Sequence, residues 1–154
     1  MRSVCAVLLA LLATSAAQAQ QVAFRSEAWL VTRALDPMTD APECTGRPVK
    51  ALGGRFELSR DALNVSYAER GGLRGLRVRY GEERALDLRL PTDEEAASGI
   101  LTFAGADLRH LLRVHRLRIE VMTLENVVIE EDIDLRGFEA ARRFIRDSPR
   151  CNPT

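Results

Sequence analysis

Strict alternation of apolar and polar residues in the middle of the chain restricts the fold more than any other feature. Every second residue is apolar in Gly75–Tyr80 and again in residues 84–90, where the apolar positions are all leucine. A period of two is typical of a strand with one buried face. The loop at residues 81–83 predicts a hairpin in which Leu76 lies opposite Leu88, so that both face the core. The same register sets Val78 opposite Leu86 and Arg77 opposite Asp87.

A second hairpin is predicted from residues 116–123 and 127–135, which alternate in the same way. Centring its turn on Glu125 matches apolar residues with apolar ones and basic residues with acidic ones. A slip of one residue would send each apolar side chain to the solvent face, so the register is well specified. The predicted cross-strand pairs are Leu117–Ile133, Val121–Ile129, Arg118–Asp132 and Arg116–Asp134.

Further elements complete a mainly β pattern. Strands are predicted at residues 27–34, 54–58 and 62–68, with a turn at residues 59–61 and loops at residues 36–40 and 71–72. Pro91 to Gly99 reads as acidic and irregular. Short antiparallel strands in this order predict an antiparallel β-sandwich or a partly open barrel.

Two helices are expected within this β-rich chain. Leucines at positions 108, 111 and 112 have helical spacing, and Asp107 is a candidate cap for this short internal helix. Phe138, Ala141 and Ile145 form one apolar stripe of a C-terminal helix, which Pro149 would end.

Residues 1–19 have the features of a signal peptide. Arg2 is followed by an apolar run that is too short to span a bilayer, and residues 17–19 fit a small-x-small cleavage site. We expect cleavage after Ala19, a single β-rich domain over residues 20–154, and a periplasmic or secreted product.

The balance of charges argues against attraction to nucleic acid or to anionic lipid. The chain carries 22 basic and 22 acidic residues, so no net charge draws it to nucleic acid or to anionic lipid. Lys50 is the only lysine, and we attribute the preference for arginine to genome composition. No apolar run after the leader reaches the length of a transmembrane segment.

Two cysteines, Cys44 and Cys151, remain once Cys5 leaves with the leader. In an oxidising compartment such a pair usually forms a disulfide. The bridge would close a loop of more than a hundred residues and hold the C-terminal tail against the N-terminal part of the domain. A metal or redox role is disfavoured, because there is no C-x-x-C motif and no nearby histidine.

Candidate chemical groups are few. His110, His115 and Glu131 could form a weak metal or hydrolase site, although neither histidine lies in a metal-binding motif. Glu131 falls on the apolar side of its strand, opposite Ile119; a buried carboxylate would point to a ligand site. We expect instead that it sits near a sheet edge, where inward-pointing charges discourage further pairing, or that a local bulge turns it outward. No cofactor is implied.

Other arrangements are weaker. A hydrolase triad could be drawn from residues 59–61 with Ser66 and His115, but no nucleophile elbow surrounds either serine. Trp29 could anchor a sugar or a partner, and we expect a core position. Four arginines form a local basic cluster that reads as a solvated face: Arg109, Arg113, Arg116 and Arg118.

The ends of the domain carry motifs seen in a known family. Trp29-Leu30-Val31 precedes a turn-rich stretch to Cys44, and Leu135-Arg136-Gly137-Phe138-Glu139-Ala140-Ala141 precedes Cys151. This pattern resembles small alphaproteobacterial periplasmic proteins of the invasion-associated locus B type. The resemblance implies a secreted β-rich domain without a known catalytic site, and a loosely defined envelope or host-interaction role.

The sequence thus favours a non-catalytic periplasmic binding or envelope-associated protein, whose partner is an undefined envelope protein or small ligand. One alternative is a small hydrolase or metal-dependent enzyme that uses His110, His115 and Glu131. Another is an inhibitor or chaperone of a periplasmic protein, which would present an exposed apolar patch or an unpaired edge strand.

Overall fold

The strands form two antiparallel sheets in the computed structural model, which describes residues 20–152. The larger sheet has six strands in the order β1-β2-β3-β4-β5-β7, and the smaller has the order β6-β8-β9. The strands are β1 (Gln21–Arg25), β2 (Trp29–Leu35), β3 (Pro42–Pro48), β4 (Arg55–Leu58), β5 (Ala62–Ser66), β6 (Gly75–Tyr80), β7 (Ile100–Ala104), β8 (Arg116–Met122) and β9 (Val128–Asp134). The helices are α1 (Asp93–Ser98), α2 (Gly105–Leu111) and α3 (Phe138–Asp147), with a 3-10 turn at Ala68–Arg70. The predicted mainly β fold with antiparallel sheets, a short internal helix and a C-terminal helix is confirmed, and the sheets do not close into a barrel.

The second predicted hairpin is confirmed residue by residue. β8 and β9 pair antiparallel, with Leu117 opposite Ile133 and Arg118 opposite Asp132. The turn places Asn126 at a φ of 62°, a left-handed conformation that asparagine tolerates better than most residues. The predicted β4–β5 hairpin also forms, with its turn at residues 59–61.

The first predicted hairpin is wrong in its second half. The amide of Leu86 donates to the Val78 carbonyl at 2.8 Å, as the predicted register requires. Leu76, however, exchanges backbone hydrogen bonds with Arg89 at 2.9 and 3.0 Å, one residue beyond the predicted partner. Because directly opposed residues share a face of a sheet, Arg89 takes the inner position and Leu88 turns to the outer face.

An ion pair accounts for the shifted register. Two nitrogens of Arg89 lie 2.7 and 2.8 Å from the carboxylate oxygens of Glu95 on α1. Glu95 also completes a capping box with Thr92, the residue before the helix. The acidic stretch after Pro91, predicted to be irregular, is therefore a capped helix whose carboxylate holds Arg89.

Three strands escaped prediction because their sequences lack the alternation. β1 is short and lies at an edge, β7 has five residues, and β3 contains two prolines, a glycine and a cysteine. The two other helices form where predicted, and Leu108 and Leu111 of α2 are buried. Asp107 is not its cap, because the helix begins after Ala104 without a side-chain cap bond.

The core lies on the inner face of the six-stranded sheet. The predicted stripe of α3 is buried there, and the methyl end of Ile145 comes close to Gly46 of β3. Phe144 stacks on Phe24 of β1 with ring centroids 5.3 Å apart. No helix among residues 20–152 is both long and apolar enough to cross a membrane. The predicted leader, residues 1–19, lies outside the described residues.

The predicted bridge between Cys44 and Cys151 is confirmed at the level of geometry. Their Sγ atoms are 2.09 Å apart, and 107 positions separate them in the chain. Cys44 lies on β3 and Cys151 follows α3, so the bridge joins the terminal helix to the larger sheet. In the unfolded chain the same bond would remove the entropy of a long loop.

Replacing both bridge cysteines (C44A/C151A) is expected to lower the free energy of unfolding by about 2–5 kcal/mol. The measurement is urea unfolding of the oxidised protein with and without a thiol reductant. The double variant is the control for the reductant, because the reductant should leave its free energy of unfolding unchanged. Equal stability of the wild type in both buffers would contradict a formed disulfide.

Candidate functional site

A cleft with a volume of about 650 Å³ lies between the two sheets, at one end of the molecule. The β1–β2 turn and the loop after β3 form one wall, and the ends of β8 and β9 form the other. Apolar side chains supply part of the lining: Ala28, Pro48, Val49, Leu52 and Ile133. Charged and polar side chains supply the rest: Glu27, Lys50, Glu82, His115, Arg116, Asp132, Asp134 and Arg136.

Two hydrogen bonds between the sheets frame this cleft. The indole Nε1 of Trp29 donates to the Asp134 carbonyl at 2.9 Å, and the ring packs edge-on against Phe138. The amide of Gly54 donates to Oε1 of Glu131 at 2.6 Å. Trp29 is fully buried, so the predicted core position is confirmed. Since both bonds involve β9, they fix the spacing between this strand and the larger sheet.

Glu131 lies on the edge strand β9, which is one of the two expected arrangements, and it is buried rather than turned outward by a bulge. Its side chain keeps the inward position that the register gives it opposite Ile119, and only 4% of its surface is exposed. The loop at Gly53 and Gly54 makes this possible, because its backbone approaches the carboxylate closely and donates to it. No bulge was needed: backbone donors from the other sheet replace water.

Burial raises the pKa of Glu131, since a low-dielectric surrounding disfavours the carboxylate. The backbone donors at Gly54 and Gly53 act in the opposite direction, as do the charges of Arg70 and Lys50. The hydroxyl of Tyr67 is also buried and has no hydrogen-bond partner among residues 20–152. Burial raises the pKa of Tyr67 too, and the nearby Glu131 adds to that effect.

The carboxylates that line the cleft already have cationic partners. Asp132 lies 2.9 Å from Arg116, and Arg136 lies 2.6 Å from Asp134. The remaining two acids, Glu27 and Glu82, pair at 3.4 Å with Arg136 and at 3.2 Å with Arg79. Lys50 differs, because no carboxylate of residues 20–152 lies within 4.0 Å of its ammonium group. The cleft therefore combines an apolar wall with one cation that is free to bind a ligand.

The three residues of the predicted weak site are not brought together. His115 lines the cleft, whereas Glu131 lies behind it at the Gly54 loop. His110 is elsewhere: its ring stacks on Tyr80 and its Nε2 lies 2.8 Å from Glu83. Across residues 20–152, no group of three or more His, Cys, Asp or Glu side chains is placed to hold a metal ion.

The serines of the suggested triad have local structural roles. Ser59 bonds to the backbone of Ala62 within the β4–β5 turn. Ser66 lies 3.5 Å from the amide of Ala68. His115 directly precedes β8 of the other sheet, so the structure gives neither serine this base.

The basic cluster is split between two places. Arg116 and Arg118 both approach Asp132, at 2.9 and 3.8 Å. Asp134 lies opposite Arg116 across the strands, as predicted, and its carboxylate accepts hydrogen bonds from Arg136 two residues later. Arg109 and Arg113 lie beside His110 on the α2 side of the molecule.

Sequence reasoning gave Lys50 no role, although a single lysine among 22 basic residues was a signal. Its position in the cleft depends on the loop after β3, which has no periodicity to read. The cleft itself also depends on how the two sheets pack, which short-range patterns do not encode.

Comparison with known proteins finds no match for this chain among protein-family models, curated proteins or solved structures. The resemblance to the invasion-associated locus B type therefore stays a prediction, as do the leader and the exported location.

The buried carboxylate predicts a specific pH dependence. Because folding raises the pKa of Glu131, the unfolded chain loses this proton first. Stability from this group is therefore present below the ordinary pKa and declines as the pH rises through the folded pKa. E131Q removes the titration and keeps an acceptor oxygen for Gly54. Its free energy of unfolding should gain on that of the wild type as the pH rises above the ordinary pKa of a glutamate.

Urea unfolding at a series of pH values measures this gain. The matched control is E130Q, which removes the exposed neighbouring carboxylate and should run parallel to the wild type. A constant difference between E131Q and wild type at every pH would refute the raised pKa.

Proposed function

We propose that this chain is a non-catalytic, exported binding protein of the cell envelope, and that the cleft between its sheets is the binding site. The ligand class is a small organic anion with an apolar body. Lys50 would meet the anionic group, while Val49, Leu52 and Ile133 would contact the apolar part. A pocket between two packed layers, with an apolar wall and few free polar groups, is the usual form of a small-molecule site.

The pairing of charged side chains in the lining of the cleft supports this proposal. Carboxylates and arginines in the lining neutralise each other in pairs, so they position the walls and leave little net attraction. The ammonium of Lys50, which has no carboxylate partner within residues 20–152, adds a directed charge. Trp29 and Glu131 support the site from behind, because their bonds hold the two walls at a fixed separation.

The proposed hydrolase or metal-dependent activity has less support. It needs His110, His115 and a carboxylate at one point, and these residues lie at three places. Glu131 also has its hydrogen bonds satisfied by backbone donors rather than aimed into the cleft.

A protein-binding function, such as an inhibitor or chaperone, is favoured by a different observation. Residues 84–90 present three exposed leucines at the edge of the smaller sheet. Such a surface suits a protein partner rather than a small ligand.

Titration with sodium octanoate, followed by amide chemical shifts in NMR, tests the cleft. Octanoate should shift amides of the β1–β2 turn, of residues 48–52 and of residues 132–136, and uncharged octanol should shift them less. K50A should weaken octanoate binding about fivefold, which corresponds to ~1 kcal/mol for one exposed charge contact.

K50R and R25A are the matched variants. K50R keeps the charge and should retain binding, while R25A removes an exposed arginine from β1 and should change nothing. Shifts scattered over the whole surface, or equal affinity of K50A and R25A, would reject the cleft as the site.

A further inference from the structure

Three leucines on an extended segment are exposed to solvent, and this segment is the open edge of the smaller sheet. We call residues 84–90 the leucine edge. The exposed fractions of Leu86, Leu88 and Leu90 are 54%, 60% and 79%. A small domain seldom leaves several neighbouring leucines this exposed without a partner surface.

The backbone of the leucine edge is only half used. The amide of Leu86 and both polar groups of Arg89 bond to β6. Leu88 precedes Arg89 in the extended chain, so its amide and carbonyl point away from β6. Among residues 20–152 these two groups have no backbone partner. The edge can therefore accept another strand.

Apolar surface continues from the leucine edge across the outer face of the sheet. A Cβ placed on Gly75 would lie 3.8 Å from a methyl carbon of Leu88 and 3.9 Å from Cβ of Met122. Met122 pairs with Val128 on the next strand, and 54% of Val128 is exposed. The row Leu88, Met122 and Val128 thus crosses the sheet, and a strand added at the edge would extend it.

We propose that the leucine edge pairs with the leucine edge of a second copy of this chain. The two edges run antiparallel about a two-fold axis at Leu88, and the two smaller sheets join into one. The two Leu88 residues exchange their free backbone hydrogen bonds. This proposal is independent of the ligand cleft, which lies at the junction of the two sheets.

Self-complementarity of the sequence identifies the partner. With the axis at Leu88, Asp87 of one copy opposes Arg89 of the other. An axis at Asp87 would set two carboxylates against each other, which is unfavourable. An axis at Leu86 would instead oppose Leu88 to Arg84.

The charges on the edge agree with this pairing. Asp87 is exposed and forms no ion pair within residues 20–152, while Arg89 is held in place by Glu95. The carboxylate of Asp87 can join Arg89 of the other copy without breaking that contact, because 46% of the Arg89 side chain is exposed. Pro91 ends the edge, since it has no amide hydrogen to donate.

A charge exchange tests the two-fold register. D87R places arginine opposite Arg89 in both halves. R89E/E95R places glutamate opposite Asp87 and keeps an ion pair between positions 89 and 95, so each variant alone should dissociate. Mixed in equal amounts, the two variants restore both opposite-charge pairs and should associate. Sedimentation equilibrium of each variant and of the mixture gives the dissociation constants. We expect each variant alone to raise the constant tenfold or more, with recovery in the mixture.

Control variants distinguish an effect at the leucine edge from the effect of a change elsewhere in the protein. D61R makes the same charge change in the β4–β5 turn and should dimerise like the wild type, while L88S should weaken the dimer. A wild type that stays monomeric at every concentration overturns the proposal. So does a dimer that D87R and L88S leave intact, or a monomer whose edge binds the strand of an unrelated protein.

Discussion

Burial of alternate side chains between the sheets is the constraint on which the rest of the structure depends. With a period of two, each strand has one permitted register, and a shift by one residue exchanges its faces. β8 and β9 obey this rule and carry even a carboxylate, Glu131, into the interior. The segment beside β6 departs from it by one residue at Leu88 and Arg89, and Leu88 faces outward. The buried and exposed features that matter for function both follow from register.

Much of the fold could be predicted because it is local. The β8–β9 pairing follows from the turn at Glu125 and from charges that match across the strands. The shifted register beside β6 could not be predicted in the same way, because Leu88 suits a core position and Arg89 does not. What decides it is Glu95, whose capping box at Thr92 fixes a carboxylate that binds Arg89.

The candidate site was less accessible to sequence reasoning. His115 does line the cleft, but its suggested partners His110 and Glu131 are held elsewhere by Glu83 and by the Gly54 backbone. The free charge of the cleft comes from Lys50, in a loop whose position depends on packing between sheets. Such a site depends on tertiary packing. The leucine edge, by contrast, can be recognised from the sequence once it is known that its leucines are exposed.

The register beside β6 is therefore the point at which the account is most open to test. In an antiparallel sheet, the amide protons of a hydrogen-bonded pair approach each other closely. The structure predicts a nuclear Overhauser contact between the amide protons of Leu76 and Arg89. A contact from Leu76 to Leu88 in its place, with leucine methyl groups near Val121, would bury the leucines and contradict the account.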